Sequence, residues 1–370
     1  MRFFGTALLV AWTLLHLYVF GRAWTVPEFR RRPPRLALLG GAAALWSTFV
    51  LSRFAGHDAG GRFAAWLELF GLSAMAALFL CAVALLAVDL VTGFGFFQRR
   101  RVPALRGWAL LAGGVLASIA LVQGLRPPVV SHHEVRLRGL PAALDGTVIV
   151  ALSDTHLGRL LDGEWLAALI AQVAAEKPDM VLLLGDLVEG HGGEGGDLLR
   201  MFARIRAPRG VWAVTGNHER FRNGGGMWQR AFEETGVRVL HDSWVEIAPG
   251  LVVAGIDDLT SRRRGGVSGD LVGASLAGRP PGATVLLSHT PWETETASRA
   301  GVGLMLSGHT HGGQIWPFGY LVRFAYPLVA GRYEVGEMTV LVSRGAGTWG
   351  PRMRLWLPGE ILRVTLRAAG

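Results

Sequence analysis

Five short polar blocks hold the residues with the most chemistry to offer: SDTH (153–156), GD (185–186), GNHE (216–219), SH (288–289) and GHTH (308–311). They set out Asp154, His156, Asp186, Asn217, His218, His289, His309 and His311, which include five of the eleven histidines in the chain. Three carboxylate or amide side chains and five imidazoles, with no thiolate, suit divalent metals such as Mn²⁺, Fe, Co²⁺ or Zn²⁺ better than Ca²⁺ or Mg²⁺ alone. The donors are too many for one ion and fit two, and Asp186, central in order and type, has the oxygens to bridge them. Two ions about 3.5–4 Å apart activate a water and clamp the oxygens of an in-line displacement at phosphorus.

Such residues act together only if the fold gathers them. From residue 147 onward, short apolar runs alternate with helical patterns, the pattern of βαβ units and a parallel sheet. TVIVALSD, DMVLLLGD, GVWAVTGNHE, ATVLLSHT and VGLMLSGHTH each read as a strand running into a polar block. GEWLAALIAQVAAE (163–176) and the stretch around DLLRMFARI read as helices between them. Runs at 244–256 and 332–343, and the final EILRVTLR, predict further strands and a second sheet. In open α/β sheets ligands bind outside the carboxyl ends of the strands, so residues spread along the chain would meet at one rim.

The five blocks, in this order, resemble the signature of the calcineurin-like metallophosphoesterases, in particular a membrane-bound bacterial branch, over about residues 145–345. The resemblance implies a four-layer α/β/β/α sandwich of two mixed sheets flanked by helices. It also implies two divalent metal ions, Mn, Fe or Zn. Asp154, His156 and His311 would hold one ion and Asn217, His289 and His309 the other, with Asp186 bridging. His218 would instead contact the substrate phosphate and protonate or stabilise the leaving oxygen. His309 and His311 then stand one residue apart because alternate side chains of an extended segment point the same way. Gly308, Gly312 and Gly313 let the backbone approach and turn.

The rest of the chain has another character. Of 37 basic and 28 acidic side chains, residues 1–128 hold thirteen arginines and four acids, so all of the +9 net charge lies there. The remainder is balanced, which removes the basis for a nucleic-acid-binding reading. Four apolar runs, about 3–20, 36–54, 66–94 and 105–125, approach the roughly 20 residues needed to cross a bilayer and predict a four-helix transmembrane region over 1–128. No small-residue cleavage site precedes GRAWTVPEFRRR, which weighs against a cleaved signal peptide. Arg22, Arg30, Arg31, Arg32 and Arg35 crowd one loop and Arg99, Arg100 and Arg101 another, with Arg106 just beyond. Arginine-rich short loops stay cytoplasmic, which predicts a multi-pass cell-membrane protein with its catalytic domain outside the cytoplasm. Trp24, Trp66 and Trp108 fit interfacial anchors. Asp89 reads either as part of a polar pathway or as an acid reaching the interface. The lone cysteine, Cys81, excludes an intrachain disulfide. Residues 129–144 read as a linker and 145–370 as the phosphoesterase domain.

Several features stay open on sequence alone. Glu219 could orient its neighbours or start a helix, and Asp257 and Asp258 could support the site or serve a turn. SRRRGG (261–266) reads as an anion clamp or a solvated loop. The glycine-rich loops 190–196 and 223–226 read as flexible segments near the mouth, with His191 incidental. IWPFGYLVRFAYPLVAG (315–331) is an unusually apolar loop, either a lip facing lipid or a packing element. The expected activity is hydrolysis of a phosphomonoester, phosphodiester or pyrophosphate bond on a lipid-linked or cell-envelope substrate, with no protein partner inferable. Alternatives are a UDP-diacylglucosamine pyrophosphate hydrolase-like activity in lipid A synthesis, or a non-catalytic phosphate-sensing membrane module. A transporter or scaffold would call for intramembrane charged pairs.

Overall fold

The computed structural model describes residues 2–29, 32–55, 62–158, 160–189, 193–219, 231–232 and 234–369. Arg30, Arg31, His191, the 190–192 part of the first glycine loop and the loop 223–226 lie outside the described residues. The chain divides into two compact units, Met1–Leu125 with Gly350–Leu355, and Arg126–Trp349 with Trp356–Gly370.

The first unit is helical: α1 (Arg2–Ala23), α2 (Arg32–Ala55), α3 (Arg62–Val91) and α4 (Val102–Gly124). Stretches of 18 to 26 residues within them are long and apolar enough to cross a membrane. Trp12, Val19, Phe49, Leu78, Leu85 and Ala109 pack into a common core. Leu14, Leu17, Leu51, Leu90 and Trp108 face outward, as side chains do when the surrounding solvent is lipid. Gly350–Leu355, assigned from sequence to the C-terminal domain, belongs with these helices, since the Arg354 N–H donates to the Ala120 carbonyl at 2.9 Å.

Asp89 lies in a network of charged and polar side chains. It is fully buried, with Arg106 Nη2 2.8 Å from Oδ1, Arg22 Nε 2.7 Å from Oδ2, and the Tyr18 hydroxyl donating to Oδ2 at 2.9 Å. Arg22 closes α1, Asp89 lies near the end of α3 and Arg106 near the start of α4, so the network ties helix ends together. Asp89→Ala would leave two guanidiniums without their shared anion, and breaking a buried pair costs about 3–5 kcal/mol. The detergent-solubilised Asp89→Ala chain is therefore expected to unfold at a clearly lower temperature than the wild type. An unchanged midpoint would mean that the network contributes nothing.

The second unit carries twelve strands among the described residues, in two six-stranded sheets. Counted along the chain these are β1 (Val129–Leu137), β2 (Val148–Leu152), β3 (Met180–Leu183), β4 (Val211–Ala213), β5 (Arg238–Val239), β6 (Ser243–Ala248), β7 (Leu251–Ile256), β8 (Ala283–Ser288), β9 (Leu304–Ser307), β10 (Gly331–Val335), β11 (Met338–Val342) and β12 (Glu360–Ala368). The first sheet runs β1-β12-β2-β3-β4-β5 and the second β10-β11-β9-β8-β7-β6. Both are mixed: β2, β3 and β4 are parallel while β12 pairs antiparallel with β2, and β7, β8, β9 and β11 are parallel with antiparallel β6 and β10 at the edges. The segment read as a linker holds β1, which pairs in parallel with β12 over its whole length. Its alternating VVSHHEVRL pattern suits an edge strand with one face buried.

The layers follow from which faces are apolar. Ile149, Leu182 and Val364 of the first sheet meet Val253, Leu287 and Leu306 of the second in one core. On the outer face of the first sheet, Val150 and Val181 pack on Leu166 and Leu169 of α5 (Gly163–Ala175) and Leu199 of α6 (Gly193–Met201). Ala254, Leu286 and Met305 pack on short helices through Leu259, Val272 and Ala297. This is the expected α/β/β/α sandwich. The inner strands are buried on both faces, which is why they read as continuous apolar runs.

Candidate metal centre

The polar blocks fall where β2, β3, β4, β8 and β9 end, so each strand delivers its side chains to one rim. The backbone there bends into the left-handed region at Asp154 (φ 53°), His156 (44°), Asp186 (52°), His309 (71°) and His311 (51°). Non-glycine residues rarely adopt this conformation, and it concentrates where surrounding structure holds a site in place. Two glycines permit the crowding. A Cβ on Gly216 would overlap the Asp186 carboxylate, and one on Gly308 would overlap Ser153 and Asp154.

Three groups of potential ligands result among the described residues. Asp154, His156 and His311 form the first, Asp186, His289 and His309 the second, and Glu189 and His218 form a third with His156. In the first, His156 Nε2 lies 3.0 Å from His311 Nε2, and His311 Nε2 lies 3.4 Å from Asp154 Oδ1. In the second, His289 Nε2 lies 3.2 Å from both His309 Nδ1 and Asp186 Oδ2. Asp186 Oδ2 also lies 3.9 Å from His156 Nε2, so this oxygen stands between the clusters. The His218 N–H donates to the other Asp186 oxygen at 2.9 Å, and its ring Nε2 is 3.9 Å from Oδ2. Asn217, where helical structure begins beside it, has a buried Oδ1 with no hydrogen-bond partner among the described residues.

The donors are oriented from behind. His289 Nδ1 is 2.8 Å from the Leu184 carbonyl, which places a proton on Nδ1 and turns Nε2 towards Asp186. His309 Nε2 contacts the Tyr326 hydroxyl at 2.7 Å, turning Nδ1 inward. His156 Nδ1 lies 2.7 Å from Glu189 Oε1, which is also 3.5 Å from His218 Nδ1. Burial disfavours charge on His289, but Asp186, Asp154 and Asp258 outweigh it and hold its pKa well above the ordinary value. Burial likewise disfavours the Asp186 carboxylate, yet His289, His218 and His156 hold it well below the usual carboxylate range. Burial and the charge on His289 push His309 down to about 4. For His156, burial lowers the pKa and Glu189, Asp186 and Asp154 more than restore it, leaving it raised.

These features fit bound cations. Nitrogens of two imidazole pairs converge on the Asp186 carboxylate, which its neighbours hold ionised, and the buried Asn217 Oδ1 has no hydrogen-bond partner among the described residues. Burying such a concentration of donors is costly unless a partner satisfies them.

The open sequence features now divide. Glu219 accepts backbone N–H bonds from Asp186 (3.0 Å) and Gly216 (2.8 Å) on one oxygen and from Leu187 (2.6 Å) on the other, so it ties the third block to the second. Asp258 caps the helix Leu259–Arg264 through the Ser261 N–H and accepts from the Thr290 hydroxyl. Asp257 accepts from Thr215 at 3.0 Å and meets His241. Arg262 pairs with Asp242 and Asp257 and Arg263 with Glu293, so this loop is not simply solvated. Glu189 and Tyr326 were missed. The available signal for Glu189 was a carboxylate three residues beyond Asp186 on an extended segment. What decides its place is the bridge between Leu157 and Val188, which sets the second block beside the first.

Glu219→Gln would turn one of the accepting oxygens into a donor facing backbone N–H groups. Loss of such outer support typically costs 10–100-fold in metal affinity, so a drop of about that size is expected in a Mn²⁺ titration of the folded variant. Wild-type affinity would remove Glu219 from any role in shaping the centre.

The calcineurin-like phosphoesterase family profile matches residues 147–313, which span every candidate ligand. A transmembrane protein with metallophosphoesterase domain from Bos taurus is 32% identical over 290 residues, covering 74% of this chain and 65% of that protein. An uncharacterised metallophosphoesterase of Campylobacter jejuni is 33% identical over 245 residues, 66% of this chain and 64% of the relative. The chain thus spans just under two thirds of the length of these two relatives. An uncharacterised metallophosphoesterase of Aquifex aeolicus is 33% identical over 246 residues, covering 65% of this chain and 92% of that protein. With the five blocks, the two-sheet fold and this similarity, the chain belongs to the calcineurin-like phosphoesterase family.

Proposed function

We propose that this chain is a membrane-anchored phosphoesterase working with two divalent metal ions, of Mn, Fe or Zn type. The observation that carries the reading is the position of Asp186 Oδ2 between the two ligand clusters, 3.2 Å from His289 Nε2 and 3.9 Å from His156 Nε2. On this reading Asp154, His156 and His311 hold one ion, Asn217, His289 and His309 the other, and Asp186 both. When bound there, such a pair would supply Lewis acidity toward the phosphoryl oxygens and lower the pKa of a water. His218, whose side chain is partly open to solvent, faces the substrate. Its imidazolium, supported through Nδ1 by Glu189, gives a proton from Nε2 to the leaving oxygen as the P–O bond breaks.

The substrate is a phosphomonoester, phosphodiester or pyrophosphate of the cell envelope or a lipid-linked intermediate. What supports this is the anchor of four apolar helices on the same chain. The arginine-rich loops between α1 and α2 and between α3 and α4 favour a site outside the cytoplasm.

The full chain in detergent is expected to hydrolyse bis-p-nitrophenyl phosphate or p-nitrophenyl phosphate with Mn²⁺. His218→Ala should keep its metal and lose about 10²–10⁴-fold in turnover. Asp186→Asn should lose metal, by elemental analysis, together with activity. Full metal occupancy without turnover toward any phosphoester would sink the reading and leave a phosphate-sensing module. Topology has its own check. A C-terminal alkaline phosphatase fusion should be active and the matching green fluorescent protein fusion dark, and the reverse pattern would place the site in the cytoplasm.

A further inference from the structure

We propose that the aromatic segment beside the candidate metal centre, residues 316–324, docks into the interfacial layer of a lipid bilayer. Combined with the phosphoesterase reading above, on which this consequence rests, such docking makes bilayer-resident phosphoesters the substrates within reach.

The segment follows directly from the GHTH block. Ile315 and Val329, on either side of it in the chain, are buried. The large side chains of the segment itself are exposed, with Trp316 beside Trp356 at 4.9 Å between ring centroids. Phe324 is 90% exposed, Tyr320 63% and Leu321 55%, with Trp316 and Phe318 also exposed. A loop serving only to pack would not turn its largest apolar side chains to water, and contiguous exposed patches of this kind mark interaction sites.

The patch adjoins the centre on two sides. The Tyr326 hydroxyl, two residues past Phe324, is 2.7 Å from His309 Nε2. Trp349, itself 46% exposed, is fastened to Gln314 by hydrogen bonds of 2.9 and 3.1 Å, and its ring centroid is 6.4 Å from that of His218. An occupant of the patch would therefore lie at the mouth of the site.

Three observations select lipid as that occupant. Trp, Tyr and Phe beside aliphatic Leu are the residues that favour the membrane–water interface. Arginines accompany the patch: Arg323 lies within it, and Arg263, also paired with Glu293, stacks on Trp292 at 4.1 Å, which in turn stacks on Tyr326 at 5.3 Å. Cationic side chains beside an apolar surface suit anionic headgroups. Finally, the same chain carries four helices long and apolar enough to cross a membrane, so a bilayer is always available to it.

The single cysteine makes the test clean. The full chain with Cys81→Ser and Phe324→Cys is labelled with an environment-sensitive nitrobenzoxadiazole dye and placed in nanodiscs of phosphatidylcholine and phosphatidylglycerol. Asp197→Cys, at an exposed position on α6, serves as the control. A blue-shifted emission quenched by doxyl-labelled lipid at position 324, with neither effect at 197, is expected. Aqueous emission at 324 quenched by iodide would overturn the proposal. So would a blue shift insensitive to doxyl lipid, which would identify a protein occupant such as a second copy. The readout requires no turnover, so it stands or falls separately from the phosphoesterase reading.

Discussion

The Asp186 carboxylate is the group around which the rest of this domain is arranged. One oxygen accepts the His218 N–H and the other stands between two groups of imidazoles. Holding an ionised carboxylate in a buried position demands compensation, and the fold supplies it with imidazoles on three sides. The backbone at Asp154, His156, Asp186, His309 and His311 lies in the left-handed region, a conformation that surrounding structure has to hold in place.

Buried carboxylates also do the positioning. Glu219 gathers three backbone N–H groups from two blocks, and Asp258 links a helix start to Thr290. Burial, and after it the neighbouring Asp186 charge, raises the pKa of Glu219. Tying loops with an acid so placed is favourable only because the N–H donors satisfy it on both oxygens. The helical unit uses the same device with opposite composition: one buried aspartate shared by two arginines at the ends of three helices.

The chemistry-bearing residues were legible because each follows a recognisable apolar strand, and a strand buried on both faces leaves a continuous run in the sequence. The four membrane-length helices were legible for the related reason that lipid demands apolar side chains all round. β1 was not, because an edge strand with one wet face and two histidines resembles a linker until β12, more than two hundred residues later, pairs with it. Gly350–Leu355 was missed similarly, since nothing in its composition announces a backbone hydrogen bond to α4.

By itself, then, the order of residues determined which side chains could meet a metal, on which strands they ride and where the apolar anchor lies. Local pattern suffices for these because periodicity and strand-end chemistry are properties of neighbours in the chain. Only the tertiary structure decided that Glu189 reaches both His156 and His218, that Tyr326 turns His309, that Asp89 is shared by two arginines, and that the aromatic residues after His311 point outward. Each of these depends on distances between segments far apart in sequence, which burial and hydrogen bonding set and no local pattern encodes.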